Sequence, residues 1–89
     1  MRKTYVIVDE IGLHARPASL LVQQANKYDN DIWISYAGQQ VTLKSIMATM
    51  SLGVPQGATI EIHVEGPNPD TVFQALESVL VASKLIRPL

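Results

Sequence analysis

The chain has 89 residues, 47% of them hydrophobic, and seven basic against eight acidic residues leave a net charge of −1 at pH 7. This length suffices for one small domain spanning residues 1–89, and the near-neutral charge excludes the basic surface needed to bind nucleic acid or an anionic membrane. The chain has no cysteines, which excludes disulfides and thiolate metal sites and fits a reducing cytoplasm.

The first predicted element is a strand over residues 4–8, a β-branched apolar run that is too short for a signal sequence or a membrane span. A loop then leads to a helix that begins near Pro17, with His14 or Arg16 as the residue that caps it. The apolar residues of this helix recur at helical spacing and form one face: Ala18, Leu21, Val22, Ala25 and Tyr28.

Two strands and a short helix are predicted next. Alternation predicts a second strand from Ile32 to Tyr36, and Ala37-Gly38 is typical of a tight hairpin. A short third strand turns Val41 and Leu43 inward. Ser45 then caps a short helix that continues to about Leu52 and ends at Gly53.

The last part of the chain predicts a fourth strand and the longest helix. The predicted strand covers residues 59–64. Ile60, Ile62 and Val64 lie on one face, and the other face carries Glu61, His63 and, directly after the strand, Glu65. Asn68 is the predicted cap of the helix, and Pro69 occupies its first position. The apolar stripe is formed by Val72, Ala75, Leu76, Val79 and Leu80. We expect Pro88 to stop this helix, and we assign no function to the tail Leu85–Leu89.

The predicted order is therefore βαββαβα. Each helix has one apolar face and each strand alternates apolar with polar residues. This pattern indicates an α+β open-faced β-sandwich, in which a four-stranded antiparallel sheet has three helices on one face and water on the other.

The segment from Gly12 to Ala18 (GLHARPA) carries the chemistry that stands out. A helix start leaves about four backbone N–H groups unpaired and attracts anions, phosphate above all. Arg16 adds a planar cationic fork and His14 a nucleophilic imidazole, so the segment can both bind and accept a phosphoryl group. Chemistry alone also allows a capping or surface histidine beside a solvated arginine. Gly12 and Pro17 are interpreted as shaping the turn and the helix start.

Three segments together resemble HPr, the histidine-containing phosphocarrier of the bacterial sugar phosphotransferase system. They are Gly12–Ala18, Leu43–Met47 (LKSIM) and Ser51–Gly53 (SLG), at the spacing of that family. The resemblance extends from about Tyr5 to the last helix. It implies a single phosphocarrier domain with the fold predicted above, and a phosphorylated intermediate that is not itself an enzyme and needs no cofactor.

The resemblance also implies roles for individual residues. Nδ1 of His14 would take the phosphoryl group from enzyme I and pass it to the IIA domains of sugar permeases, while Arg16 would stabilise the phosphate. Ile11 departs from the family, whose members often carry a small polar residue there that can hydrogen-bond near the histidine. How the His14 ring is held is therefore an open question. Nothing in the sequence demands a dimer, and we expect a monomer.

As the predicted cap of the short helix, Ser45 stabilises the fold by about 1 kcal/mol, with or without a second role. The resemblance implies a regulatory role as well, because Ser45-Ile46-Met47 matches the Gram-positive type, in which a dedicated kinase/phosphorylase modifies this serine. A phosphate here would add charge beside the docking face and offer an acidic handle to a catabolite-control transcription regulator.

Four apolar residues are predicted to form a partner-docking patch: Leu20, Ile46, Met47 and Met50. An apolar pair four residues apart, such as Ile46 and Met50, is more often core, but so short a helix cannot bury every apolar residue. Methionine suits weak contact with several partners.

Two further features of the sequence do not indicate a binding site. Glu61, His63 and Glu65 are spread too far along one strand to share a metal ion, so we interpret them as a solvated face and predict no metal site. Trp33 has no partner for stacking on a base, and the sheet lacks the aromatic pair and basic flanks of an RNA-binding sheet. The remaining alternative is a purely regulatory HPr-like protein that acts through phosphorylated Ser45.

Overall fold

The computed structural model describes all 89 residues and has the predicted order βαββαβα. The elements are β1 (Arg2–Val6), α1 (Ala15–Ala25), β2 (Ile32–Tyr36), β3 (Gln39–Thr42), α2 (Ile46–Met50), β4 (Thr59–Val64) and α3 (Pro69–Ala82). The strands form one sheet in the order β1-β4-β2-β3, and every neighbouring pair is antiparallel. The predicted α+β open-faced architecture is therefore confirmed.

The core lies between the sheet and the helices. Apolar side chains of β2 and β4 such as Ile34 and Ile62 are fully buried, as the alternation predicts. They pack in one cluster with Leu21 of α1 and Leu76 of α3. Phe73, which the predicted stripe of α3 omits, is also fully buried and is the largest such side chain. No helix has the length and apolar character that crossing a bilayer requires.

Strand β1 begins and ends two residues earlier than predicted. Its partner sets the register: Arg2 pairs with His63, and Val6 pairs with Thr59, where β4 begins. Beyond that point, the N–H of Val8 donates to the carbonyl oxygen of Leu85 (2.7 Å), which lies outside the sheet. The apolar run continues to Val8, but β1 ends at Val6 because its pairing partner β4 begins at Thr59.

The start of α3 is confirmed, with Asn68 at the cap position and Pro69 as the first helical residue, whereas its end differs from the prediction. Asn68 occupies the cap position, but its backbone is left-handed (φ 54°) and its side chain makes no capping hydrogen bond. The helix ends at Ala82, well before Pro88. The N–H groups of Lys84 and Leu85 donate to the carbonyl oxygens of Val81 and Leu80, an arrangement known as a Schellman motif. The expectation that Pro88 stops the helix was wrong, because backbone capping ends it first.

The tail after α3 is partly core. Leu85 and Ile86 are buried in the main cluster, and only the last three residues are exposed. The tail therefore has the structural role of closing the core beside β1, which its sequence did not reveal.

The open face of the sheet is less solvated than predicted. The rings of Trp33 and His63 lie 5.1 Å apart between centroids, and Nε2 of His63 contacts the Glu65 carboxylate. The His63 side chain is consequently only 13% exposed. The solvated-face interpretation was wrong for His63, because cross-strand pairing places a large indole against it.

Candidate functional site

A tight turn brings His14 to the start of α1. The N–H of Gly12 donates to the carbonyl oxygen of Asp9 (2.9 Å), and Gly12 has a left-handed φ of 76°. A Cβ at this position would overlap the Val54 carbonyl oxygen and lie 2.9 Å from Cα of Pro55. Only glycine satisfies both the conformation and the close approach of the two loops. Gly12 therefore fixes the path by which the chain reaches His14.

His14 occupies the cap position of α1, which resolves the choice that the sequence left open. Its backbone is extended, its side chain makes no capping hydrogen bond, and the ring is 31% exposed. The N–H of Ala18 donates to its carbonyl oxygen (3.1 Å). The N–H of His14 donates to the carbonyl oxygen of Gly12 (3.0 Å), and Pro17 has no N–H, so only Ala15 and Arg16 have free N–H groups, rather than the four of an ordinary helix start.

Asp9 contacts the His14 ring, a neighbour that the sequence did not point to. Oδ2 of Asp9 lies 3.2 Å from Nε2 of His14, and Oδ1 accepts the backbone N–H of Ile11 (2.9 Å). The Ile11 hydrogen bond, followed by the contact with His14, lowers the pKa of Asp9 below its usual value. An ionised carboxylate can only accept, so a neutral His14 ring that hydrogen-bonds to Asp9 does so with a hydrogen on Nε2, and in that tautomer Nδ1 has the lone pair.

An open cavity of about 510 Å³ lies in front of the ring, and two cations line it. Arg16 lies in the first turn of α1, and Lys84 lies two residues after the end of α3. Neither makes an ion pair within the chain. Ile11 and Leu20 line the same cavity and are exposed, Ile11 by 72%. The cavity is thus a cationic, solvent-open space beside the His14 ring, whose Nδ1 makes no hydrogen bond.

Lys84 is the second residue that sequence reasoning missed. Its backbone is left-handed (φ 61°), a conformation in which glycine is usual at this position of a helix end. The lysine approaches the cavity because the end of α3 packs beside the start of α1. The helix periodicity gave no sign that these two ends meet, and no motif connects them in sequence.

Ser45 lies at the start of α2, as predicted. Its Oγ accepts the backbone N–H of Ala48 (3.1 Å), which confirms it as the helix cap. Helix α2 packs against α1. Of the four residues predicted for docking, Leu20, Ile46 and Met47 are exposed, Met47 by 86%. Met50 is half-buried and packs against the core, because its position on α2 faces inward.

No group of three or more histidine, aspartate or glutamate side chains is arranged to hold a metal ion. The Glu61 side chain pairs with Arg2 (2.7 Å) rather than with His63. The site described here is made of backbone donors, two cations, the His14 imidazole and the Asp9 carboxylate that contacts it.

Comparison with known proteins agrees with this geometry. The family model for the phosphorylation site of the HPr component of the phosphotransferase system matches residues 1–82. The histidine-containing phosphocarrier protein of a mycoplasma has 35% identity and a TM-score of 0.95, and the match covers 99% of this chain and 100% of that one. An HPr from Thermoanaerobacter tengcongensis has 40% identity and a TM-score of 0.85, with 100% and 99% of the two chains covered.

A third similar structure is Crh, the catabolite repression protein of Bacillus subtilis, which forms a dimer with a swapped domain. It has 33% identity and a TM-score of 0.70, and the match covers 89% of this chain and 90% of Crh. The family match spans nearly the whole chain and includes the segment around His14. This chain belongs to the HPr family of the phosphotransferase system, whose members are phosphocarrier proteins and not enzymes with turnover of their own.

Proposed function

We propose that this protein carries phosphoryl groups from enzyme I to the IIA domains of sugar permeases, and that His14 is the residue that holds them. The observation that supports this best is the environment of the ring. A half-exposed imidazole with an unoccupied Nδ1 stands at a helix start, beside two free N–H groups and a cavity lined by Arg16. Phosphoryl transfer needs positioning and charge stabilisation more than acid–base chemistry, and this site supplies both.

Arg16 stabilises the phosphoryl group in this proposal. It is the cation closest in sequence to His14, it is free of internal ion pairs, and a guanidinium suits phosphate oxygens. The donors at the site bind the group without enclosing it, so a partner can approach from solvent. We place the exchange in the cytoplasm, which the lack of cysteines fits.

The test is phosphorylation by enzyme I and phosphoenolpyruvate, followed by treatment with acid, which cleaves a phosphohistidine and spares a phosphoserine. We expect one acid-labile phosphate in the wild type and none in His14→Ala. The chain has two histidines, so His63→Ala is the matched control and should be labelled normally. Acid-labile phosphate retained by His14→Ala would falsify the assignment.

We further propose that phosphorylation of Ser45 regulates this transfer. A phosphate on Ser45 would be stabilised by the start of α2 and would add a charge of about −1.5 to −2 beside the exposed residues of α1 and α2. A kinase/phosphorylase and a catabolite-control transcription regulator are the partners this implies. Ser45→Asp should slow phosphorylation of His14, whereas Ser51→Asp, at the other end of α2, should not. Equal rates of His14 phosphorylation in Ser45→Asp and the wild type would contradict regulation through Ser45.

The exposed apolar residues Leu20, Ile46 and Met47 form the docking patch in this proposal. Because a carrier must release each partner, contacts of less than about 1,200 Å² are expected. Met47→Ser should raise the KM of enzyme I for this protein by about fivefold, since loss of one well-exposed contact weakens binding by about 1 kcal/mol. The maximal rate should stay the same, and we expect the protein to sediment as a monomer.

A purely regulatory role is the alternative, favoured by the similarity to Crh. The acid test separates the two functions. A chain that enzyme I leaves unlabelled, but that a serine kinase labels with acid-stable phosphate on Ser45, would have the regulatory function only.

A further inference from the structure

The side chain that holds the His14 ring does not come from the residue at which the family often carries a polar group. Ile11 is aliphatic and 72% exposed, and it has no side-chain group that can hydrogen-bond. Asp9 makes the contact instead, with Oδ2 at 3.2 Å from Nε2 of His14. The role of Asp9 is therefore a question about this chain in particular, and the following inference rests on the proposed function of His14.

Asp9 is itself fixed by the turn that it begins. Its Oδ1 accepts the N–H of Ile11 (2.9 Å), and its carbonyl oxygen accepts the N–H of Gly12 (2.9 Å). One carboxylate oxygen is thus committed to the backbone, and the other points at the ring. The Asp9 side chain is only 20% exposed. Because these hydrogen bonds fix the Asp9 carboxylate, it can hold the His14 ring in one orientation.

We propose that Asp9 is a positioning residue that makes Nδ1 of His14 the phosphoryl acceptor. By accepting the hydrogen of Nε2, Asp9 selects the tautomer in which Nδ1 has the lone pair and fixes the direction in which that lone pair points. The same carboxylate stabilises the positive charge that the ring acquires during transfer. This is the part that an aspartate plays beside the histidine of a catalytic triad.

In the transfer step, one bond to phosphorus forms while another breaks. The Nδ1 lone pair forms a bond to phosphorus, while the bond from phosphorus to the leaving atom of the donor breaks and its electron pair goes to that atom. The hydrogen stays on Nε2, so the ring becomes cationic and the carboxylate opposes that charge. Release to the next acceptor reverses each change.

The negative charge of Asp9 repels the anionic phosphoryl group and thereby disfavours its transfer to His14. Two features reduce this effect. The two ring nitrogens point in different directions, so a phosphoryl group on Nδ1 is directed away from the carboxylate at Nε2. Arg16 and Lys84 line the cavity and offset the remaining repulsion.

The decisive variant is Asp9→Asn, which keeps an oxygen for the Ile11 N–H but places an amide, a hydrogen donor, where Nε2 needs an acceptor. We expect the imidazole ¹⁵N signals to show hydrogen on Nε2 in the wild type and a shift toward hydrogen on Nδ1 in the variant. The rate of phosphorylation by enzyme I should fall at least about tenfold, the usual cost of losing a group that orients a histidine. Glu10→Gln makes the same change of charge at the adjacent exposed residue and should keep the wild-type rate.

The outcomes are distinguishable. A wild type with hydrogen on Nδ1 overturns the proposal without any variant, even if Asp9→Asn fails to fold. A folded Asp9→Asn that is phosphorylated within twofold of the wild-type rate also overturns it, as does an equal loss in Glu10→Gln. A wild type that gains no acid-labile phosphate from enzyme I, with hydrogen on Nε2, would instead overturn the carrier function and this role with it.

Discussion

The properties of His14 are determined by its neighbours. Asp9 contacts Nε2 of the ring, Pro17 limits the free N–H groups, and Gly12 allows the loop to pass close to Val54. Each of these residues acts through one contact or one missing group. Substitutions that alter a single contact should therefore have separable effects on stability and on transfer.

Gly12→Ala should lower the free energy of unfolding by about 3 kcal/mol, because it combines left-handed strain with a clash against the loop at Val54. Gly38 is the matched control: its φ is 81°, but a Cβ there has nothing within 4 Å. Gly38→Ala should therefore lose only about 1 kcal/mol, the strain alone. Urea denaturation measures both, and equal losses would contradict the close approach at Gly12.

Asp9 should make stability depend on pH. Its pKa is lower in the folded protein than in the unfolded chain, so its contribution is fully present above the usual aspartate pKa and is lost as the pH falls through the folded value. The difference in free energy of unfolding between wild type and Asp9→Asn should thus shrink as the pH falls below about 5 and continue to shrink through the folded pKa of Asp9. Denaturation at a series of pH values checks this, and a difference that grows on acidification would contradict it.

The ends of the helices, rather than their middles, build the site. The start of α1 supplies N–H donors, and the end of α3 brings Ala82 and Lys84 to the same cavity. A helix end carries about half a negative charge, and Lys84 offsets it beside the place where an anion is to bind. The left-handed backbone of this lysine costs stability that a glycine would not.

Lys84→Gly should raise the free energy of unfolding by about 0.5 kcal/mol, since relief of strain outweighs the greater freedom of glycine in the unfolded chain. Ala82→Gly, two residues earlier and still helical, should lower it by about 0.5–1 kcal/mol. Thermal unfolding of both variants shows the signs directly. If Lys84→Gly and Ala82→Gly shift the unfolding temperature in the same direction, the backbone of Lys84 is not strained.

The sheet, the helices and the tail share one core, so the end of the chain is structurally required. Leu85 and Ile86 are buried in the same cluster as the centre of the sheet, and the Leu85 carbonyl oxygen accepts the Val8 N–H. The three residues that follow are exposed. The boundary between required and dispensable tail thus lies after Ile86.

Removal of Leu85–Leu89 should cost several kcal/mol, because burial of each of the two apolar side chains is worth about 1.5–3 kcal/mol. Removal of Arg87–Leu89 alone should change the free energy of unfolding by less than about 0.5 kcal/mol. Urea denaturation of the two truncated proteins compares them. Similar losses would mean that the exposed residues, not the buried pair, hold the tail in place.

Periodicity predicted β2, β4, α1 and α3, since each of them buries one face. Composition indicated β1, the hairpin turn indicated β3, and the Ser45 cap indicated α2. Element ends were less predictable because they depend on partners. Strand β1 stops where β4 begins, and α3 stops through backbone hydrogen bonds made by Lys84 and Leu85. The segment around His14 was recognisable because its residues are contiguous. Asp9 and Lys84 were not, since only the folded turn and the meeting of two helix ends bring them to the ring.

The proline in the first turn of α1 has a consequence for the cargo. A phosphoryl group has three terminal oxygens, whereas the backbone at this helix start offers two donors, from Ala15 and Arg16. At least one oxygen must turn to a mobile side chain, to water or to a visiting protein. In the proposed carrier function, the start of α1 therefore binds the phosphoryl group incompletely and leaves one oxygen for the donor or acceptor protein to contact.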